Sequence, residues 1–355
     1  MVFSRRRRAR ADRGICVAAM IADNASRESG EDRLIAKYFR PLARHPGAFG
    51  LVDDAAVLTP PPGADLVLKA DAIVGGVHFF ADDPADTVAQ KALRVNLSDL
   101  AAKGATPAGF LLSLALPASV GEAWLAAFSA GLGADVEQYA CPLLGGDTDR
   151  TPGPVTISIA AFGTLPQGSM VRRSGARAGD RIVVTGSIGD AALGLAARLA
   201  PEGVRRWKLT SAAAEHLTQR YLLPQPRNAL AEAVRLHASA AMDVSDGLAG
   251  DLGKLCAASG VSAEIEVARV PLSAAAGAAL AGEPELIETI LTGGDDYEIL
   301  CTVPSDRLAS FHAAATAAKV PVTDIGCVQA GTAPPRFIGR DGKMLLFKRM
   351  SFSHF

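Results

Sequence analysis

The segment A-M-D-V-S-D-G-L-A-G-D-L (residues 241–252) sets two carboxylates around a serine and follows them with a glycine. An apolar lead-in and a helical pattern after Gly247 put Asp243 and Asp246 at the carboxyl end of a strand, where α/β folds place ligands. Ser245 and the Gly247 backbone then fall at a helix N-terminus, which favours anions. Carboxylates beside an anion-friendly turn suit a metal-bridged phosphate. Taken alone, the segment reads at least as well as a strand-turn-helix corner capped by Asp and Ser.

The rest of the chain shifts that balance. Aspartates recur at segment ends beside glycine or small residues: Asp53, Asp54, Asp71, Asp99, Asp147, Asp149, Asp243 and Asp246. Each is a plausible turn or cap residue by itself. Together they would repel unless cations held them, and oxygen ligands of this kind select Mg²⁺ or Ca²⁺. No His or Cys grouping has zinc spacing. Asp99 lies in the mostly apolar L-R-V-N-L-S-D-L-A-A-K-G, where a helix would put Asn96, Asp99 and Lys103 on one face, and a buried carboxylate there needs a partner. His78 follows two glycines that permit close ligand approach, although a lone His is as often a packed residue. Arg173, in M-V-R-R-S-G-A-R-A-G-D, is suited to clamping phosphate; Arg172 and Arg177 read as solvated. Neither the P-loop nor the G-x-G-x-x-G pattern is present, and the protein-kinase signature and the G-x-S-x-G elbow are missing too. A nucleotide bound here would use neither common phosphate cradle.

These residues need strands and helices in alternation to position them. Periodicity predicts helices over 30–44, 86–103, 121–139, 191–199, 211–221, 227–238, 272–282 and 305–319. Strands are expected over 65–74, 107–116, 141–144, 155–163, 181–185 and 263–268. Residues 50–58 read as an acidic turn leading into a strand, G-G-D-T-D and G-G-D-D-Y as turns, and Asp341-Gly342 as a hairpin turn. The basic turn at 172–175 suggests a boundary between domains over 30–166 and 167–355.

With 355 residues, 49% of them apolar, and 35 Gly and 21 Pro, the chain has a globular α/β composition with room for two cores. No run is long enough to span a membrane. The five scattered cysteines lack C-x-x-C and read as reduced thiols of a cytoplasmic protein. Net charge is −1, but residues 1–19 hold six Arg and one Asp, so the remainder carries −6. A body so charged is not built to bind nucleic acid. The Arg5–Arg8 run could touch nucleic acid or anionic lipid, or open an export signal, but its apolar follow-up is short. The expectation for residues 1–29 is a disordered or non-native basic extension, with Met20 a candidate start.

In combination and order, G-E-D-R-L-I, V-D-D-A-A-V-L, D-A-I-V-G-G-V-H-F, K-A-L-R-V-N-L-S-D-L-A-A-K-G-A-T-P, G-G-D-T, R-R-S-G-A-R-A-G-D, M-D-V-S-D-G-L-A-G-D-L and G-G-D-D-Y-E-I-L resemble the thiamine-monophosphate kinase family of the aminoimidazole-ribonucleotide-synthetase-like superfamily. The match runs from about residue 30 to the C-terminus. The resemblance implies a two-domain mixed α/β (α+β) fold whose N-terminal domain binds ATP and Mg²⁺ and whose N-terminal sheet pairs across a homodimer. It implies direct, in-line transfer of the ATP γ-phosphoryl to thiamine monophosphate with several Mg²⁺ ions. Carried over by position, Asp54, Asp71, Asp99, Asp147, Asp243 and Asp246 are the implied Mg²⁺ ligands. Gly146, Asp147, Arg173 and Ser245 are the implied ATP contacts, and His78, Asp295 and Phe352 the implied thiamine-phosphate contacts. A phosphate acceptor is already ionised, so no general base is assigned.

Two positions depart from the family pattern. Lys69 and Ala70 stand where two hydroxyl residues usually precede Asp71. There the backbone serves, one ion is lost, or an ammonium occupies part of that charge site. Asp295 stands where Glu is common, one methylene shorter. Competing functions are another ATP-dependent enzyme of the superfamily, of the aminoimidazole-ribonucleotide or selenophosphate synthetase type, and a non-catalytic Mg-nucleotide sensor.

Overall fold

The computed structural model describes residues 30–352; the expected basic extension over residues 1–29 lies outside the described residues. The chain builds two sheets. The first, in the order β1-β4-β2-β3, comprises β1 (Ala64–Val74), β2 (Thr106–Leu116), β3 (Leu143–Arg150) and β4 (Thr156–Pro166). Its pairings are antiparallel except β2 with β3. The second, in the order β10-β7-β9-β5-β8-β6, comprises β5 (Arg181–Thr185), β6 (Ala240–Asp243), β7 (Ser262–Glu266), β8 (Ile299–Val303), β9 (Val322–Gln329) and β10 (Arg336–Ile338). The fold is thus mixed α/β in two parts, as the sequence reading expects.

Alternation along β1 sets its two faces. Val67 and Ile73 are buried while Leu66 and Leu68 are exposed, so Val67, Lys69, Asp71 and Ile73 share the covered side. The cover is the helices Ala85–Ala102 and Glu122–Tyr139, with Leu93, Leu97, Phe110, Phe128, Ile157 and Ile159 at the centre of that core. Each such side chain, fully buried, stabilises by roughly 1.5–3 kcal/mol. The opposite face, carrying Leu66, Leu68 and Leu111, is open in the single chain.

Helix Ala85–Ala102 is buried almost all round, polar side chains such as Lys91, Arg94, Asn96 and Ser98 included. It ends at Gly104, whose positive φ of 76° suits a helix C-terminus. Its last turn passes into another core, where Ala101 and Ala102 meet Val183, Leu230, Ile299 and Phe311. Most of its buried polar groups are paired: Arg94 holds Asp135 through two 2.8 Å bonds, and Ser98 Oγ donates to the Tyr297 carbonyl at 3.3 Å, whereas Asn96 Oδ1 is buried without a partner. This helix therefore links the two sheets and fixes the gap between them. The second sheet packs Ile182, Leu193, Met242, Leu252, Ile265 and Phe337 into its own core.

Four expectations need correction. Residues 30–44 are not one regular helix: Gly30–Leu34 is α-helical, Ile35–Phe39 is a π-turn and Arg40–Leu42 is 3-10, with Pro41 denying the ladder a donor. Residues 55–58 form no strand. The short strand expected over 141–144 instead begins at Leu143 and runs straight through G-G-D-T-D to Arg150, because β2 pairs with it along that length. Helices Pro201–Arg206 and Leu286–Thr292 were not foreseen; each is too short to leave a strong period.

Candidate functional site

A cavity of about 490 Å³ opens where β1, helix Ala85–Ala102, the end of β6 and the 293–297 loop meet. Asp71, His78, Asp99, Arg173, Asp243, Ser245, Asp246, Asp295 and Phe352 all line it, so nine of the twelve sequence-predicted residues share one space. The other three do not. Asp54, Gly146 and Asp147 line a second cavity of about 660 Å³, beside Leu66, Leu111 and Phe162 on the open side of the first sheet. Gly146 is needed for that geometry, since a Cβ there would sit 1.8 Å from the Leu112 carbonyl oxygen across the β2–β3 pairing.

Asp243 is the last residue of β6, and its side chain points into the gap with Oδ2 buried and without a hydrogen-bond partner. Burial, and then the neighbouring charges of Asp99 and Asp251, push its carboxyl up to about 8. A buried orphan oxygen in a native site calls for a missing partner. The turn after it is held differently from the sequence reading. Asp251, fully buried one helical turn in, accepts from the Ser245 and Asp246 N–H groups at 3.0 and 2.9 Å. These amides are therefore spoken for and do not offer an anion cradle. Lys254 bridges Asp251, at 2.8 Å, and Asp246. Gly247 has φ 110° and its Cα faces the Thr292 backbone so closely that a Cβ would lie 2.6 Å away.

The 293–297 loop is tied to this turn by backbone bonds, Asp295 N to Ser245 O at 2.9 Å and Tyr297 N to Val244 O at 2.8 Å. Asp295 and Tyr297 take positive φ, 70° and 50°, an unusual conformation for non-glycine residues that places the Asp295 carboxylate towards the cavity. Lys91, buried in helix Ala85–Ala102, holds Asp295 Oδ2 at 2.8 Å and lies 3.9 Å over the Tyr221 ring. Its ammonium also donates to the His78 carbonyl at 3.1 Å, as does the Tyr221 hydroxyl at the same distance. His78 Nδ1 accepts from Val74 N at 3.0 Å, which leaves the neutral ring its proton on Nε2. Sequence reasoning missed Lys91, Tyr221 and Asp251. The spacing Lys91, Val95, Asp99 at i, i+4, i+8 could have found the first, because it repeats the face that carries Asp99.

Lys69 Nζ stands 2.6 Å from Asp99 Oδ2 and 3.1 Å from Asp71 Oδ2. Burial opposes its charge, but Asp99 and then Asp71 outweigh that and keep its pKa above the ordinary value. Asp71 is raised, first by burial and further by Asp99, with Lys69 opposing. Lys103 donates to the Ala241 carbonyl at 2.6 Å and is lowered by burial, Asp99 opposing. Helical spacing puts Asn96 on the Asp99 face, but its amide is spent on the Ala92 carbonyl of its own helix at 3.0 Å.

Among the described residues, no three His, Cys, Asp or Glu side chains are gathered closely enough to hold a metal ion unaided. Mg²⁺ is usually held through one or two carboxylates with phosphate oxygens completing its shell. Separate carboxylates facing one cavity, with the orphan Asp243 oxygen among them, fit that mode. The arrangement can bind an anionic, metal-bearing ligand between two sheets and present Arg173 at its edge.

Comparison with known proteins matches residues 52–165 to the AIR synthase related protein N-terminal domain and residues 177–334 to its C-terminal domain. Thiamine-monophosphate kinase of Caulobacter vibrioides is 45% identical over 296 residues, covering 82% of each chain. The crystal structure of thiamine-monophosphate kinase from Stenotrophomonas maltophilia K279a superposes with a TM-score of 0.76 at 39% identity, covering 88% of this chain and 96% of that one. The structure of AaThiL complexed with AMPPCP and TMP gives 0.72 at 31% identity, covering 87% and 97%. By both domains and by these relatives along most of its length, the chain belongs to the thiamine-monophosphate kinase family of AIR synthase related proteins.

Proposed function

We infer that this chain transfers the γ-phosphoryl group of ATP to thiamine monophosphate, forming thiamine diphosphate and ADP. The observation that carries the reading is the single cavity uniting carboxylates from β1, helix Ala85–Ala102 and β6 with Arg173, His78, Asp295 and Phe352. Its relatives' names and the analogue pair in AaThiL support the same reaction.

Donor and acceptor are both anionic, so the site must relieve repulsion before it can align them. Asp71, Asp99, Asp243 and Asp246 would hold Mg²⁺ in the first cavity, and Asp54 and Asp147 in the second. Bound Mg²⁺ neutralises phosphate charge and stabilises the charge that develops in transfer. Arg173, on its exposed turn, clamps a nucleotide phosphate, while Ser245, Gly146 and Asp147 complete the ATP contacts. The thiamine phosphate lies against His78 and Phe352, with its cationic ring near Asp295. Lys91 and Tyr297 fix the Asp295 carboxylate from behind, through Oδ2 at 2.8 Å and Oδ1 at 3.3 Å. That support compensates for the shorter side chain, because a held carboxylate needs no extra reach. The acceptor oxygen is ionised at neutral pH, so its attack needs orientation and no base.

Asp295→Ala is expected to raise KM for thiamine monophosphate at least tenfold while moving KM for ATP little, since it removes a contact to one substrate. Steady-state kinetics with each substrate varied in turn decides this, and equal effects on both would count against the assignment.

The chain acts as a homodimer through its first sheet. The face with Leu66 and Leu68 exposes these apolar side chains and borders the cavity containing Asp54 and Asp147. A partner seated there would meet those carboxylates. Sedimentation equilibrium should show a dimer, converted to monomer by Leu68→Asp; a monomeric parent protein would refute the pairing. A cytoplasmic setting suits the four free cysteines among the described residues and the lack there of any helix long and apolar enough to cross a membrane.

A further inference from the structure

The carboxylates around the first cavity differ in what already satisfies them. On one side Asp71 and Asp99 share the Lys69 ammonium, at 3.1 and 2.6 Å. Lys69 reaches them because it lies two residues from Asp71 on the same covered face of β1, directly opposite helix Ala85–Ala102. It is drawn in from solvent: its side chain is 27% exposed and that of Asp99 16%. On the other side Asp243 keeps a buried oxygen without any partner. Lys254 serves Asp246 and Asp251, Lys91 serves Asp295, and Lys103 spends its ammonium on the Ala241 carbonyl. The remaining demand for a cation is therefore centred on Asp243.

An ammonium between two carboxylates supplies the charge that a metal would supply, but it donates hydrogen bonds and cannot accept a phosphate oxygen as a ligand. It is also tethered, so its position costs no ion uptake from solution. We propose that Lys69 is a resident cation of this cavity, taking the place of one divalent ion between Asp71 and Asp99 and leaving their other carboxylate oxygens to share the remaining ions with Asp243. The inference rests on the reading of the cavity as a Mg-nucleotide site and adds to it a count: the chain recruits one divalent ion fewer than its carboxylates alone would draw.

The test is the number of Mn²⁺ ions bound per chain, read by electron paramagnetic resonance on the full-length protein saturated with a non-hydrolysable ATP analogue. Lys69→Thr, which removes the charge and adds an oxygen, should bind one more Mn²⁺ than the parent. Lys69→Arg, which keeps the charge, should bind the parent's number. If Lys69→Thr does not fold, Lys69→Gln replaces it with the same expectation. Melting in EDTA gives a second reading: removal of the charge should lower Tm, and added Mn²⁺ should restore it. Equal Mn²⁺ counts in the parent and the charge-removing variant overturn the inference and leave the nucleotide site standing. An equal gain in Lys69→Arg overturns it as well, since charge would not be the cause. If neither protein binds Mn²⁺ with the nucleotide analogue, the inference falls together with the metal-site reading.

Discussion

Asp243→Asn is expected to lower kcat by at least about two orders of magnitude, since metal charge stabilisation supplies several kcal/mol and each 1.4 kcal/mol is tenfold. The metal-free protein should be at least as stable as the parent. The side chain does not cap the following helix: Asp251 performs that task through the Ser245 and Asp246 amides. Asn therefore forfeits little local structure and removes a carboxyl whose ionisation burial disfavours. A pH signature separates this from a general loss of folding. With its carboxyl at about 8 in the folded chain against 3.8 as the ordinary value, Asp243 holds a proton in the native state that the unfolded chain releases. Between about pH 4 and pH 8 the native form thus binds more protons, and metal-free stability from this group falls as pH rises through that window. Melts in EDTA should show this decline in the parent and a flatter profile in Asp243→Asn. Asp99→Asn and Asp147→Asn should also cost orders of magnitude in kcat, with partial rescue at high Mg²⁺. Near-normal turnover in all three variants would defeat the metal-site reading.

The second large effect is on stability. Glu298, fully buried after the G-G-D-D-Y turn, accepts from Arg227 Nε and Nη2 at 2.6 Å each, from Arg220 Nη2 at 2.9 Å and from Thr185 Oγ1 at 2.6 Å. Glu298→Gln leaves two largely buried guanidinium groups without their anion, and Arg220 already has one buried nitrogen unpaired. Breaking a buried pair by removing one partner costs about 3–5 kcal/mol. For a protein of this size that corresponds to a fall in Tm of roughly 4–7 degrees. Thermal melts measure it, and a loss below about 1 kcal/mol, the scale of an exposed pair, would contradict the role given to Glu298. Because Glu298 adjoins Asp295 and Tyr297, the network also anchors the loop that frames the cavity.

What the sequence made legible follows from the range of the interactions involved. The alternation that buries Val67 and Ile73, and the helix halted by Gly104, are local patterns, and both elements form where the residues imply. Asp71, Asp99, Asp243 and Asp246 stood out because carboxylates beside small residues at strand and helix ends are conspicuous, and they do face one cavity. Lys91 was hidden because a lysine in a helix reads as solvated; its burial depends on Asp295, more than two hundred residues away. Asp251 looked like one polar residue of an amphipathic helix, yet its carboxylate closes back on the turn before it. The β3 strand was misjudged as a turn because its glycines suggest bending, whereas here they let two backbones approach. The residues around Lys69 alone allow three meanings, and its distances to Asp71 and Asp99 favour the ammonium.

The most direct measurement is ADP release from Mg-ATP in a coupled assay, with thiamine monophosphate offered against the substrates of the related synthetases. Thiamine monophosphate alone should sustain turnover, with one thiamine diphosphate formed for each ADP. Binding of Mg-ATP without ADP formation, or turnover with a synthetase substrate and none with thiamine monophosphate, would contradict it.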